Sequence, residues 1–123
     1  MTNQKQFGVW MDRQSAFITG KQNSADDTVS LIAQVDADFA DANSSEKNEH
    51  NNENDLKRKY FKAITSHMQN ATEVHVTGTG QIQEQFIHFL KETPQFKNTK
   101  ATESTSNKMS EEKLIEYMAE KLN

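Results

Sequence analysis

Residues 71–90 of this 123-residue chain read ATEVHVTGTGQIQEQFIHFL, and this stretch decides the fold. Positions 73–77 alternate in polarity and are rich in β-branched residues, which is typical of a strand. Glycines at positions 78 and 80 then interrupt the pattern, and apolar residues begin to recur at helical spacing. The apolar residues on one side of this helix are Ile82, Phe86, Phe89 and Leu90. A strand that leads into a helix through glycines is half of a βαβ unit, so the stretch predicts an α/β domain.

Three further strands are predicted upstream, at residues 6–12, 15–19 and 28–35, where apolar and polar side chains alternate. The polar links between them are short, which favours an antiparallel meander. Trp10 points away from the apolar face of the first strand, and we expect it to belong to a core on the second face of the sheet.

The rest of the chain supplies two helices and a weaker strand. Residues 56–69 predict a helix because apolar side chains repeat every four positions, whereas residues 98–105 alternate weakly and predict an edge strand. Ser110 can cap a final helix, with Met109 packing on Leu114.

The predicted order of elements is therefore β-β-β-loop-α-β-α-β-α. A right-handed crossover would place the strand at 73–77 parallel to a strand of the meander. This is the element order of an RNase H-like α/β fold, with a mixed five-stranded sheet, an antiparallel β-meander followed by βαβα, and helices packed on the sheet.

The length of 123 residues suggests one domain, residues 1–123. The chain is polar, with a mean hydropathy of −0.92. The excess of polar residues is concentrated in residues 36–55 and 98–107. Residues 36–55 carry seven acidic side chains against the single Lys47. Such a composition over so long a connection predicts a mobile acidic loop inside the domain.

The overall charge and the absence of cysteine exclude several classes of protein. A net charge of −4 does not suit a general nucleic-acid coat protein, although it leaves room for a local basic patch. Without cysteine there are no disulfides and no thiolate metal sites. No run is apolar enough for a membrane span or a signal peptide, so we expect a cytoplasmic protein without membrane contact.

The densest basic cluster lies in the first two turns of the predicted helix at 56–69. It consists of Lys57, Arg58, Lys59 and Lys62. Cations at a helix N-terminus oppose the macrodipole at a cost of roughly 0.3–1 kcal/mol. The cluster is either a solvated face that balances the acidic loop or a patch that contacts phosphates.

The glycine turn offers a second candidate site. Backbone N–H groups at a helix N-terminus can hold an anion, and the turn comprises Gly78, Thr79, Gly80 and Gln81. A dinucleotide fingerprint needs a further glycine at the position that Gln83 occupies, so the motif is incomplete. The alternative is that the glycines simply make a tight turn.

No catalytic residue, metal site or cofactor is predicted. Asp12 ends the first strand where a nuclease would hold a metal, but it is better explained as a turn residue of the hairpin. The four histidines, at positions 50, 67, 75 and 88, are scattered without metal-ligand spacing, and there is no nucleophile elbow.

Together, four stretches resemble the central domain of archaeo-eukaryotic peptide-chain release factors and Pelota. They are FGVWMDRQSAFI (7–18), LKRKYFKAI (56–64), EVHVTGTGQIQEQFIHFLKE (73–92) and NKMSEEKLIEYMAEKL (107–122). The resemblance extends most closely to small bacterial relatives called translational machinery proteins. In that family an Asp-Arg-type turn, a Gly-Pro-Gly-type turn and a Lys-Met-Ser/Thr segment recur. Their counterparts here are Asp12-Arg13, Gly78-Thr79-Gly80 and Lys108-Met109-Ser110.

The resemblance implies an RNase H-like fold and a role in translation. Release factors carry a Gly-Gly-Gln tip that promotes peptidyl-tRNA hydrolysis on the long loop before their first helix. The corresponding loop here, residues 36–55, is acidic and has no glycine, and Gly80-Gln81 follows a threonine at a helix start. The flanking domains of release factors have no counterpart in these residues. Hydrolytic release is therefore not expected.

Three hypotheses follow. The first is a non-enzymatic translation-factor-like protein that contacts the ribosome or RNA through the basic cluster. The second is a protein-interaction module, in which the acidic loop or a sheet edge binds a basic protein or a second copy of the chain. The third is a small enzyme with an anion-binding turn at residues 78–81.

Overall fold

The structure is a computed structural model that describes residues 5–21, 29–37 and 49–122, with the side chains of the first helix described from Asp55 onward. It contains five strands, three α-helices and a short 3-10 helix at Pro94–Phe96. In chain order the elements are β1 (Gln6–Met11), β2 (Ser15–Gly20), β3 (Ser30–Asp36), α1 (Glu49–Thr65), β4 (Glu73–Gly78), α2 (Ile82–Glu92), β5 (Lys100–Thr105) and α3 (Glu111–Lys121).

The five strands form one mixed sheet in the order β3-β2-β1-β4-β5. Adjacent strands of the meander β1–β2–β3 are antiparallel, whereas β4 pairs parallel to β1 and β5 pairs parallel to β4. This confirms the predicted meander, the parallel placement of β4 and the position of β5 at an edge. β3 and β4 run in the same direction and are separated in the sheet by β2 and β1, so the connection between them is a crossover, and it contains α1.

The first helix differs from the prediction at both ends. It begins at Glu49, so residues 49–55 of the predicted acidic loop are helical. This segment has no apolar stripe by which a helix could be predicted. It also contains no glycine or proline to interrupt a helix, and a helix that is already packed at residues 56–65 propagates readily into it. The helix ends at Thr65, where the hydroxyls of Thr65 and Ser66 donate to carbonyls of the last turn. Residues 38–48 of the loop lie outside the described residues, so its mobility remains a prediction.

Helices cover both faces of the sheet. The face that carries Val9 and Val76 packs against α1 and α2, where Ile64 and Phe86 are fully buried. The opposite face packs against α3, and Trp10 is 1% exposed there beside Met118. The prediction that Trp10 belongs to a second core is therefore confirmed. Within the described ranges, no helix combines the length and apolarity that crossing a membrane requires.

Candidate functional site

The basic cluster lies on α1, on the side turned away from the sheet. Arg58, Lys59 and Lys62 are exposed, while Lys57 is half-buried. The helix presents Tyr60, Phe61 and Ile64 to the core, and that apolar stripe fixes the outward direction of the cations. Within the part of the chain that the structure describes, none of the four cations forms a hydrogen bond or an ion pair. Their charge is available to a partner outside this part of the molecule.

Two of the four cations border a groove between α1 and α2. The α1 side consists of Lys57, Arg58 and Phe61, and the α2 side consists of Gln85, His88, Phe89 and Glu92. The groove has a volume of about 320 Å³. Lys59 and Lys62 do not line it, so the structure divides the predicted cluster into a groove-lining pair and an outer pair.

The sequence did not reveal the α2 side of this groove. The helical spacing only places Phe89 with Ile82, Phe86 and Leu90 on one side of α2, and His88 is one of four scattered histidines. In the structure Phe89 is only partly buried, and its ring centroid lies 5.4 Å from that of Phe61 on α1. The spacing of residues 85, 88, 89 and 92 places them on one side of α2, but only the packing of α2 against α1 shows that this side borders the cations.

The glycine turn is stabilised by the side chain of Gln83, which is 1% exposed. The N–H of Gly80 donates to Gln83 Oε1 at 3.2 Å, and Gln83 Nε2 donates to the carbonyl of Gly78 at 3.3 Å. One N–H that an anion would need is thus already paired within the protein. Arg13 and residues 79–82 line a depression of about 310 Å³ beside the turn. Anion binding at this turn remains a prediction.

Asp12 is a turn residue, as predicted. Its Oδ1 accepts hydrogen bonds from the N–H groups of Gln14 at 2.8 Å and Ser15 at 2.9 Å, which closes the β1–β2 hairpin. The hydroxyl of Tyr60 donates to the carbonyl of Asp12 at 2.8 Å. Burial, followed by the negative charges of Asp12 and Asp36, raises the pKa of Tyr60 above its usual value, so the phenol remains a donor.

A polar network that the sequence did not predict surrounds His75. Its Nδ1 lies 2.8 Å from Thr102 Oγ1, and its Nε2 lies 2.9 Å from Ser104 Oγ. Ser104 also donates to Thr77 Oγ1 at 3.0 Å and lies 2.6 Å from the hydroxyl of Tyr117. Burial and the charge of Lys121 lower the pKa of His75, so the imidazole is held neutral.

This network is better suited to structure than to catalysis. Its Ser104 hydroxyl already has three polar neighbours, and the histidine is oriented by a threonine rather than a carboxylate. Among the side chains of residues 5–21, 29–37 and 55–122 there is no group of three or more acidic or histidine residues that could hold a metal ion.

Comparison with known proteins identifies solved structures that share this fold. No family model matches the chain, and no curated protein matches it in sequence. Several solved structures match its fold. Thermoplasma acidophilum Pelota aligns with a TM-score of 0.63 at 15% identity, covering 94% of this chain and 32% of that one. Archaeoglobus fulgidus Pelota gives 0.54 at 14% identity, with coverages of 98% and 35%.

The third structure is an archaeal translation termination factor, aRF1, with a TM-score of 0.56 at 14% identity and coverages of 95% and 34%. The chain thus spans about a third of the length of these proteins. The likeness shows that the chain has the fold shared by a domain of Pelota and of this termination factor. The narrower resemblance to small bacterial relatives remains a prediction.

Proposed function

We propose that this chain is a non-enzymatic, translation-factor-like domain that associates with the ribosome or its RNA in the cytoplasm. The observation that carries the proposal is the fold. It matches two Pelota structures and a translation termination factor over 94–98% of this chain. The sheet order β3-β2-β1-β4-β5, with two antiparallel and two parallel pairings, supports assignment to the RNase H-like class, whereas kinship with the small bacterial relatives rests on the sequence motifs alone.

The basic face of α1 supplies the contact surface of this proposal. Arg58, Lys59 and Lys62 are exposed and Lys57 is half-buried, so the cluster can approach a phosphate backbone. Binding that neutralises four phosphates releases counterions and weakens with salt, with a log–log slope of roughly −3. The chain as a whole carries a net charge of −4, cluster included, and this overall negative charge disfavours non-specific adhesion to nucleic acid.

The absence of a Gly-Gly-Gln tripeptide supports a role without peptidyl-tRNA hydrolysis. The four glycines of this sequence stand at positions 8, 20, 78 and 80, so no two are adjacent. The chain could occupy a ribosomal site, or accompany another factor, without releasing a peptide.

Co-sedimentation with ribosomes at low and at near-physiological salt tests the proposal. We expect the wild-type protein to sediment with ribosomes under both conditions, and the variant with Lys57, Arg58, Lys59 and Lys62 changed to Ala to remain in the supernatant at the higher salt. A matched control removes the same number of positive charges at exposed lysines on other elements. It changes Lys91, Lys97, Lys100 and Lys113 to Ala.

The control should sediment like the wild type. Circular dichroism would establish that both variants are folded. If the wild type does not sediment, or if both variants lose binding equally, the proposal is wrong.

A further inference from the structure

The groove between α1 and α2 has an aromatic side whose position is fixed by the core. Phe61 is 4% exposed, and its ring lies 5.3 Å from Phe86 in an edge-on arrangement and 5.4 Å from Phe89. Phe89 is partly exposed at the groove. An aromatic ring that is already ordered provides a stacking platform at little entropic cost to the protein.

The charges of the groove are distributed unevenly. The cations Lys57 and Arg58 both come from α1, whereas the carboxylate of Glu92 lies on the α2 side. A phosphate is attracted to the first side and repelled from the second, so the distribution orients an anionic ligand. Arg58 can bind a phosphate with two parallel hydrogen bonds, and Lys57 acts as a point charge.

Two polar side chains, Gln85 and His88, are exposed and also line the groove. Each offers donors and acceptors, which suits the hydrogen-bonding edge of a nucleobase. Within the described residues neither side chain forms a hydrogen bond to the protein. Both are therefore available to a ligand without breaking an internal contact.

The size of the groove favours a single nucleotide as its ligand. A volume of about 320 Å³ lies near the lower limit of small-molecule sites, which suits one nucleotide. A duplex buries the faces of its bases, whereas an unpaired nucleotide can stack on an aromatic ring.

We propose that the groove between α1 and α2 binds one unpaired nucleotide of RNA, with its base stacked on Phe89 and its phosphate held by Lys57 and Arg58. This rests on the proposed function, in which α1 contacts RNA, and it specifies the kind of RNA. Lys59 and Lys62 contact neighbouring phosphates and read no base.

The test compares three labelled ligands by fluorescence anisotropy: a six-nucleotide single-stranded RNA, an abasic chain of the same length and charge, and an RNA duplex. Phe89→Leu removes the aromatic ring and keeps apolar volume. Its matched control is Phe17→Leu, a partly buried phenylalanine on the other face of the sheet. We expect Phe89→Leu to weaken binding of single-stranded RNA roughly 5- to 150-fold, which corresponds to the loss of one base–aromatic stacking contact. The affinity for the abasic chain should not change.

The control variant should bind all three ligands as the wild type does, and the double variant K57A/R58A should lose affinity for both single-stranded ligands. A nuclear magnetic resonance titration of the wild type with a dinucleotide keeps the test informative if Phe89→Leu does not fold. The backbone amide signals of residues 85, 88 and 89 should shift.

The outcomes separate the two proposals. If the wild type does not sediment with ribosomes, the proposed function is wrong. If it binds ribosomes but prefers RNA no more than the abasic chain, and residues 85–89 do not shift, the nucleotide site is wrong while the proposed function stands.

Discussion

The α-carbon of Gly78 faces the carbonyl oxygen of Met11, its partner across the parallel β1–β4 pair, so closely that a Cβ there would overlap this oxygen. The close approach explains why residue 78 is a glycine. Turn geometry does not explain it, because neither Gly78 nor Gly80 has the positive φ that would favour glycine. A Cβ on Gly80 would have no atom within 4 Å. The two glycines of one turn are therefore under different constraints.

Substitution of the two glycines should have opposite effects on stability. Gly78→Ala forces β1 and β4 apart, since the atom it meets belongs to the backbone, and we expect a loss of about 1–3 kcal/mol. Gly80→Ala restricts only the unfolded chain and should be neutral or stabilise by up to about 1 kcal/mol. Urea unfolding of both variants measures this difference, and equal losses would contradict it.

The indole of Trp10 contributes to stability through packing alone. It is 1% exposed, and its Nε1 has no hydrogen-bond partner within the described structure. Trp10→Ala should cost about 3–5 kcal/mol. Trp10→Phe should cost much less, because it loses no hydrogen bond and removes an unpaired donor.

Chemical denaturation followed by circular dichroism would measure both losses. Comparable losses for the two Trp10 variants would show that the indole nitrogen has a partner after all.

Stability should fall as the pH drops through the range in which histidine ordinarily titrates, near pH 6.5. Folding lowers the pKa of His75, so the unfolded chain takes up this proton at a higher pH than the folded protein does. The stabilisation that His75 contributes to the folded protein is fully present above that range and is lost as the pH falls below it.

Melting temperatures between pH 5 and pH 8 would test the role of His75. His75→Gln should flatten this part of the profile, whereas His67→Gln, on an exposed side chain, should not. A profile unchanged by His75→Gln would show that other groups cause the pH dependence.

The start of α3 depends on one hydroxyl. Ser110 Oγ accepts a hydrogen bond from the N–H of Lys113 at 3.3 Å, which confirms the predicted N-cap. Ser110→Ala should cost about 0.5–2 kcal/mol, while Ser110→Asp should retain the stability because it also accepts this bond. Thermal unfolding of the two variants gives the comparison, and an equal loss in both would argue against capping.

Local patterns were sufficient for most of the architecture. The alternation in β4 and the helical spacing after Gly80 identified the strand and α2, and the short polar link at Asp12 identified the hairpin. Met109 and Leu114 share the cluster beneath α3, as the predicted packing requires. These features depend on neighbours along the chain, and such neighbours are visible in a sequence.

The candidate sites depend on distant residues and were predicted only in part. The network of His75 follows from the β4–β5 register, which sets it opposite Thr102. The groove requires α1 and α2 to lie side by side before Phe89 meets the cations. The first turns of α1 escaped prediction because residues 49–55 have no apolar side to mark them.

The parallel pairing of β1 with β4 has a consequence for the order of folding. Gln6 pairs with Glu73, so the central pair of the sheet joins residues 67 positions apart. The β1–β2 hairpin can close from local contacts, but β1 gains its second neighbour only after α1 has brought β4 back. Closure of this long connection governs the folding rate, and during synthesis β1 keeps an unpaired edge until residues 73–78 have emerged.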